Sequence, residues 1–392
     1  MNLPIFIIFL LGILQIIIIK IFNIELNVYL TTLLTAIAII SAGFILSLTS
    51  EVAQKDIPRS FATVFLALIA ILPEYAVDIY LAYMGGKDPQ YAHYALANMT
   101  GANRLLVGLF WSIVAIIFIA SYFKKGIRRI DLDIHLEKLF LLIATIYGFI
   151  ICLKGSITII DAIILILIFF FYGFLASQQE HHEVEFEFGI QKAITSLPKH
   201  LRILTYIFLF SYAGIGILLS AKPFAEGLIH IGKSIGISEF FLIQWVAPFA
   251  SESPEFIIVL ILALRGYGSW ALGTLISSEV NQLTLLVAAI PIAFSFGANS
   301  ISIFPLDNIQ VVELLLTVSL SLFAITLILN DKFHLLEAII LLFVFLLTFP
   351  LKEYHFEISI ILIAISILNI LRIGGISYLL NTIKLVIKST QR

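Results

Sequence analysis

The chain alternates long apolar runs with short polar breaks, and a run of roughly 20 apolar residues is what a helix needs to cross a bilayer. The pattern predicts helices near residues 3–22, 27–50, 58–84, 91–121, 137–153 and 157–176, then near 203–236, 239–265, 269–295, 309–329, 333–350 and 356–373. The longest polar stretch, Ser177 to His200, divides these helices into two sets. Leu3 to Ile19 lacks a basic leader and a small-x-small cleavage site, so it is expected to stay in place as a helix.

Polar residues inside the spans are more informative than the spans themselves. ILPEYAVDIYLAYMGG, Ile71 to Gly86, and ESPEFIIVLILALRGY, Glu252 to Tyr267, are versions of each other. Aligned on Pro73-Glu74 and Pro254-Glu255, they match Leu81-Ala82 with Leu262-Ala263, Gly85 with Gly266 and Tyr75 with Phe256. The same alignment extends upstream, placing 27–57 on 208–238. The chain is therefore a duplication of a unit of about five helices, at 27–176 and 201–351, with 1–26 and 352–392 as extra helices and 177–200 as a linker. An odd number of spans per unit makes the second copy enter the membrane from the opposite side, as an inverted-topology repeat. The fold class expected is an all-α polytopic membrane protein.

Composition agrees: 61% of residues are hydrophobic and 12% charged, against about 25% charged in soluble domains. A single cysteine, Cys152, excludes an internal disulfide and a cysteine-rich metal site, and a net charge of -2 gives no reason to expect nucleic acid. Of the 23 basic residues, sixteen fall on the side of the N-terminus, the 122–138 loop, the central loop and the C-terminus, and six on the other. That bias places both termini and the 177–200 loop in the cytoplasm of a multi-pass cell-membrane protein. The remaining basic residue, Arg104, lies within a span.

Five acids also lie within spans: Glu74, Asp78, Glu252, Glu255 and Glu279. An ionised carboxylate there costs about 3 kcal/mol or more, which makes each a functional candidate. Asp78 is four residues after Glu74 and Glu252 three before Glu255, so each shares a helix face with its neighbour. Pro73 and Pro254 free the carbonyls of Ile69 and Ala250, and carbonyl oxygens beside carboxylates are what a hard cation binds. The alternative is a pair of proline kinks facing polar neighbours. A second polar cluster follows in each half, ALANMTGANRLL (95–106) and ALGTLISSEVNQLTLL (271–286), where Asn103 and Glu279 occupy equivalent places. Small residues such as Gly101, Ala102, Gly273 and Ser278 there suit close helix packing as well as ion binding. Arg104 is expected to pair with one of the five acids, and such a pair serves packing as readily as transport. His181-His182-Glu183 in the central loop reads either as a regulatory metal site or as solvated polar sequence. No phosphate loop, Ser-x-x-Lys or His-Glu-x-x-His is present, so the protein is not expected to be an enzyme or to need a cofactor.

With these motifs laid out, the chain resembles the cation/calcium antiporter superfamily and, within it, the sodium/calcium exchangers. That family repeats a Gly-Thr-Ser-x-Pro-Glu motif and a Gly-Ser-Asn or Gly-Ser-Asp motif; here they read IAILPE and ASESPE, then GAN and SSE. GISEFFLIQWVAPFASESPE, Gly236 to Glu255, also resembles the family's Gly-Val-Ser-Glu lead-in. The resemblance covers about 27–350 and implies alternating access, with the long helices 27–57 and 203–238 rocking against a fixed bundle. It implies calcium ligands at Glu74 and Glu255, with Asn103 and Glu279 at the second motifs; Ser251, Ser278, Asp78 and Glu252 are further candidate ligands read from the chain itself. The chain departs from the family at Ala70 and Ile71, at Glu252 in place of a serine and at Ala102 in place of another. Those hydroxyls help form sodium sites in the family, whereas extra acids suit protons.

The function expected is therefore exchange of calcium, or a similar divalent cation, for sodium or protons, with the bilayer as surroundings and no obligatory protein partner. A purely proton-coupled exchanger, a passive cation channel using the same acids and an intramembrane enzyme with paired carboxylates are the alternatives. Saturable, counter-ion-dependent flux separates a carrier from a channel.

Overall fold

The computed structural model describes residues 2–56, 72–178 and 189–372, with a few residues between 377 and 386. The freed carbonyl of Ile69, the departures at Ala70 and Ile71, and the His181-His182-Glu183 triplet lie outside the described residues. In chain order the helices are α1 (Leu3–Ile21), α2 (Val28–Ala53), α3 (Leu72–Gly85), α4 (Pro89–Arg104), α5 (Ser112–Tyr122), α6 (His135–Lys154) and α7 (Ile159–Ala176). They continue as α8 (Gly189–Thr195), α9 (Lys199–Ile235), α10 (Glu239–Leu264), α11 (Gly268–Asn281), α12 (Val287–Gly297), α13 (Asn308–Leu327), α14 (Leu335–Leu347) and α15 (His355–Arg372). Among the described residues, ten helical segments are long and apolar enough to cross a membrane, as the all-α polytopic reading requires. The chain divides into two compact units, residues 1–81 with 176–255, and residues 82–175 with 256–392. Each unit takes one piece from each half of the chain.

In the first unit α1, α2 and α9 pack around a core that includes Ile13, Ile45, Leu46, Leu209 and Ile217. Asn27 starts α2 by accepting the Leu30 amide at 2.8 Å, satisfying one of the donors that a helix start leaves open. Thr32, Thr35 and Thr49 turn their hydroxyls onto carbonyls one turn back, which satisfies them where water is absent. A methyl group on Gly227 of α9 would lie 2.0 Å from Oγ1 of Thr32, so the missing side chain sets how closely α2 and α9 approach. The first helix, an addition to the core in the sequence reading, is stapled to this pair: Phe9 stacks on Phe44, and the Tyr212 hydroxyl donates to the Leu10 carbonyl at 2.7 Å. Just past α2, Asp56 accepts from Arg202 at 2.5 and 2.8 Å and from the Tyr206 hydroxyl at 3.0 Å. The Arg202 guanidinium beside it holds the Asp56 carboxyl below its usual value. This bidentate pair clamps the end of α2 to the first turn of α9.

In the second unit the duplication reappears as a backbone defect. After GAN, α4 runs through a π turn, Leu105–Trp111, into α5; after SSE, α11 runs through a π turn, Gln282–Leu286, into α12. Such turns concentrate at functional positions. Two short antiparallel pairs join the halves, β1 (Arg129–Asp131) with β4 (Lys332–His334) and β2 (Ser156–Ile157) with β3 (Phe304–Pro305). The first strand of each half pairs with the second strand of the other, so exchanging the halves converts one pairing into the other. That is the signature of a two-fold relation between repeats. Pairing of Lys332–His334 also shortens the helix expected at 333–350 to Leu335–Leu347. An Asp307–Gln310 capping box starts α13, which packs against α4, α6 and α15. The last helix is seated on it through Asn369, whose Nδ2 donates to the Thr326 carbonyl at 3.3 Å.

Candidate cation-binding site

A glycine brings the two Pro-Glu pairs together in the first unit. A methyl group built on Gly43 of α2 would lie 2.6 Å from Cγ of Pro254 and 3.5 Å from Cγ of Pro73. Both prolines press on one point of α2, and the glutamates that follow them are thereby held in one neighbourhood. Glu74, Asp78 and Glu252 are buried and Glu255 is half-buried. The charged neighbours that bear on the Glu74 carboxyl are Glu252, Asp78 and Glu255. Oε1 of Glu74 is buried without a hydrogen-bond partner.

The backbone beside these acids is partly satisfied from within. The Ala250 carbonyl, freed by Pro254, accepts from the Ser253 hydroxyl at 3.1 Å, and a carbonyl oxygen retains a second lone pair. The Ser251 hydroxyl donates to the carbonyls of Ala247 and Pro248 at 3.3 and 3.2 Å, so what it has to offer a cation is its oxygen. One further acid belongs to this unit. Tyr80, two residues past Asp78, donates to Oε1 of Glu226 on α9 at 2.6 Å. Glu226 lies within the span predicted at 203–236 and was absent from the set of five; a lone glutamate in that apolar run was its only signal.

The second motifs lie in the second unit. Glu279 is fully buried; its Oε1 accepts from the Ser321 hydroxyl of α13, and its Oε2 has no partner. Asn103 donates from Nδ2 to the Met99 carbonyl at 2.9 Å, and its Oδ1 is buried without a partner. Ser278 is buried beside Glu279 in sequence. Asn98, one and a half turns before Asn103, is fully buried with neither carboxamide atom hydrogen-bonded. Sequence reasoning passed over it, although a carboxamide inside an apolar span was a legible signal.

Arg104 requires a correction. It was expected to pair with Glu74, Asp78, Glu252, Glu255 or Glu279, and instead Nη2 donates to Oε2 of Glu313 at 2.5 Å. A long side chain on a helix leans toward the helix start, which carries the guanidinium back from the end of α4 to the second turn of α13. Spacing along one helix does not show that reach.

Among the described residues, no group of three or more His, Cys, Asp or Glu side chains stands in metal-binding geometry. The donors are carboxyl, carboxamide, hydroxyl and carbonyl oxygens. Such a set suits hard cations or protons and not zinc or copper.

Comparison with known proteins agrees with this chemistry. The model of the sodium/calcium exchanger protein family matches residues 26–178 and 205–349. The sodium/calcium exchanger MaX1 of Methanosarcina acetivorans is 26% identical over 88 residues, which span 22% of this chain and only 25% of that protein. The crystal structure of the H+/Ca2+ exchanger CAX matches with a TM-score of 0.93 and 38% identity, over 98% of each chain. The sodium-calcium exchanger NCX_Mj matches with a TM-score of 0.54 and 19% identity, over 83% of this chain and 99% of that one, a likeness of fold. With both halves matched, and with the repeated Pro-Glu and second-motif residues in place within the matched segments, the chain belongs to the sodium/calcium exchanger protein family.

Proposed function

We propose that the protein is a secondary antiporter that moves calcium, or a similar divalent cation, against protons. The gathering of Glu252, Asp78 and Glu255 around the buried Glu74 carries the reading. Acids facing acids are relieved only by protons or by a cation. The likeness to an H+/Ca2+ exchanger at 38% identity supports the same choice, as does Glu252 standing where the family has a serine.

On this reading Glu74, Asp78, Glu252 and Glu255 are neutralised either by one divalent ion or by protons. The site emptied of both carries a buried charge too costly to move through the bilayer, so exchange is obligatory. The repeats run 27–176 and 201–351, and both termini and the 177–200 loop face the cytoplasm of a cell-membrane protein. The cycle involves no catalytic step, no cofactor and no obligatory protein partner.

The test is uptake of radiolabelled calcium into proteoliposomes with the membrane potential clamped, driven in parallel by an outward proton gradient and an outward sodium gradient. Uptake with the proton gradient is expected. Uptake with sodium alone would overturn proton coupling, and gradient-independent, unsaturable flux would point to a channel.

A further inference from the structure

In the second unit two turns, one from each half of the chain, meet at the ends of their helices. The Tyr122 hydroxyl, at the end of α5, donates to the Leu264 carbonyl at the end of α10 at 3.0 Å. A methyl group on Gly268, at the start of α11, would lie 2.7 Å from the Phe118 ring. The joint gathers Lys124, Lys125, Arg128 and Arg129 from the turn after α5 and Arg265 from the turn after α10, all of them exposed. Aromatic rings accompany them: Phe123, Tyr267 and Trp270 are exposed, and Tyr267 stacks on Trp270 with ring centres 5.3 Å apart. We infer that this basic and aromatic joint binds the headgroups of anionic phospholipids in the leaflet it faces.

The cations are positioned without being neutralised. The Arg128 guanidinium lies 3.4 Å from the centre of the Phe123 ring and donates to the Phe123 carbonyl at 2.7 Å. The Lys125 ammonium lies 4.9 Å from the centre of the Tyr122 ring. A ring face orients a cation through its quadrupole and leaves the full positive charge available to an anion. Two acids follow in the chain, Asp131 and Asp133. Asp131 accepts from Arg129 at 2.9 Å, whereas among the described residues no acid pairs with Lys124, Lys125, Arg128 or Arg265. Exposed aromatic rings at span ends sit at the level of the lipid headgroups, and clustered Lys and Arg at that level attract anionic lipid. Arginine there can also hold a phosphate through two parallel hydrogen bonds.

The two-fold relation between the repeats supplies an internal comparison. In the related joint of this unit the turn after α3 packs on the end of α12: a methyl group on Gly86 would strike the Phe294 carbonyl, and one on Gly297 the Tyr83 carbonyl. A cation again lies over a ring, Lys87 at 4.2 Å from the centre of Tyr83. Yet Lys87 is the single basic residue of segments 86–88 and 298–307, against the acids Asp88 and Asp307. The same frame is thus built with one cation where the other joint has five, so packing does not call for the other four. Inverted repeats set the two joints on opposite faces of the membrane, and what differs between the faces is the lipid surface each meets. An excess of basic residues also orients a chain during insertion. Orientation, however, depends on charge summed over loops and requires no gathering of Arg265 from one half with Lys124, Lys125 and Arg128 from the other. The inference needs neither the exchange reading nor the assignment of one face to the cytoplasm.

The experiment reads the fluorescence of Trp270, which lies in the joint. The full chain is reconstituted in phosphatidylcholine vesicles with a minor share of phosphatidylglycerol, and either the phosphatidylglycerol or an equal amount of phosphatidylcholine carries a bromine quencher. The Trp270 signal is the difference from Trp270→Phe. Quenching by the anionic lipid is expected to report a local enrichment of at least about fivefold over its bulk share, the factor that one basic residue near a charged surface supplies. The enrichment should persist in Lys87→Gln, fall toward one in Lys124→Gln combined with Arg265→Gln, and fall likewise in the wild type as salt is raised from about 0.1 to about 1 M. Should the double variant fail to fold, Lys125→Gln is read in its place, with a partial fall expected. Equal quenching by the two labels overturns the inference and leaves the charges to orientation alone. Enrichment that survives loss of the cations places the lipid elsewhere and overturns it too. Enrichment abolished by inorganic phosphate at constant ionic strength assigns the joint to a free anion and not to the leaflet.

Discussion

The buried acids of the two units differ in what faces them. In the first, the charges acting most strongly on Glu74 are three other acids, Glu252, Asp78 and Glu255. In the second, Glu313 sits between Arg104 and His355, and Glu279 takes a hydroxyl from Ser321. An acid held by a base is complete as folded, because its charge is cancelled within the protein. An acid surrounded by acids becomes complete only when a proton or a cation arrives. The first arrangement belongs to ion handling and the second to architecture, with Glu279, one oxygen satisfied and one not, in between.

The comparison breaks first if Glu74 can be spared. Glu74→Gln keeps the shape and removes the charge, so calcium exchange in proteoliposomes should fall at least about 100-fold, more than the loss of a supporting ligand usually costs. A wild-type rate would take Glu74 out of the ion site. Arg104→Gln should act on stability instead, since it leaves Glu313 buried without its base, at a cost of about 3–5 kcal/mol. Thermal unfolding in detergent reads this, and Arg104→Gln combined with Glu313→Gln should recover part of the loss. No recovery would mean that the pair is not what joins α4 to α13.

Asp56 sharpens the contrast as an acid of the first unit that does have a base. Asp56→Asn should cost about 2 kcal/mol, the usual scale for a charged hydrogen bond. Its carboxyl is depressed below the ordinary value of 3.8, so the pair's contribution is fully present above that value and is lost as the pH falls through the lower folded one. The difference in unfolding temperature between wild type and Asp56→Asn should therefore stay constant from neutral pH down to about 5 and narrow only in stronger acid. A difference that already narrows at pH 6–7 would contradict a depressed carboxyl. The smallest effect is expected from Ser321→Ala, which removes one hydrogen bond from Glu279. About 1 kcal/mol, or roughly fivefold in apparent calcium affinity, is its ceiling in a binding titration. An effect as large as that of Glu74→Gln would move Glu279 into the class of the first-unit acids.

Much of this was legible in the chain. Twelve apolar runs, a repeated Pro-Glu and a second polar cluster after each one led directly to a duplicated all-helical membrane protein, since span length and repeat spacing are local properties. The carboxylates Glu74, Asp78, Glu252 and Glu255 were named for the same reason, because an acid in an apolar run is visible without a fold. Glu313, His355 and Glu226 were not, although each also lies within or at the edge of a predicted span. Their roles depend on partners 209, 42 and 146 positions away, and no periodicity connects such pairs.

The chain alone carried the inventory: a many-spanning helical protein, the halves that repeat, and the acids of the repeated motifs. Tertiary structure decided the pairing. It placed Gly43 against both prolines, which holds the two Pro-Glu motifs in one neighbourhood, and it gave Arg104 a partner in Glu313, 209 positions away. The physical reason is that burial makes a charge costly wherever it sits, so the cost can be read from the chain, whereas its relief comes from whichever side chain the packing of distant helices brings within hydrogen-bonding distance.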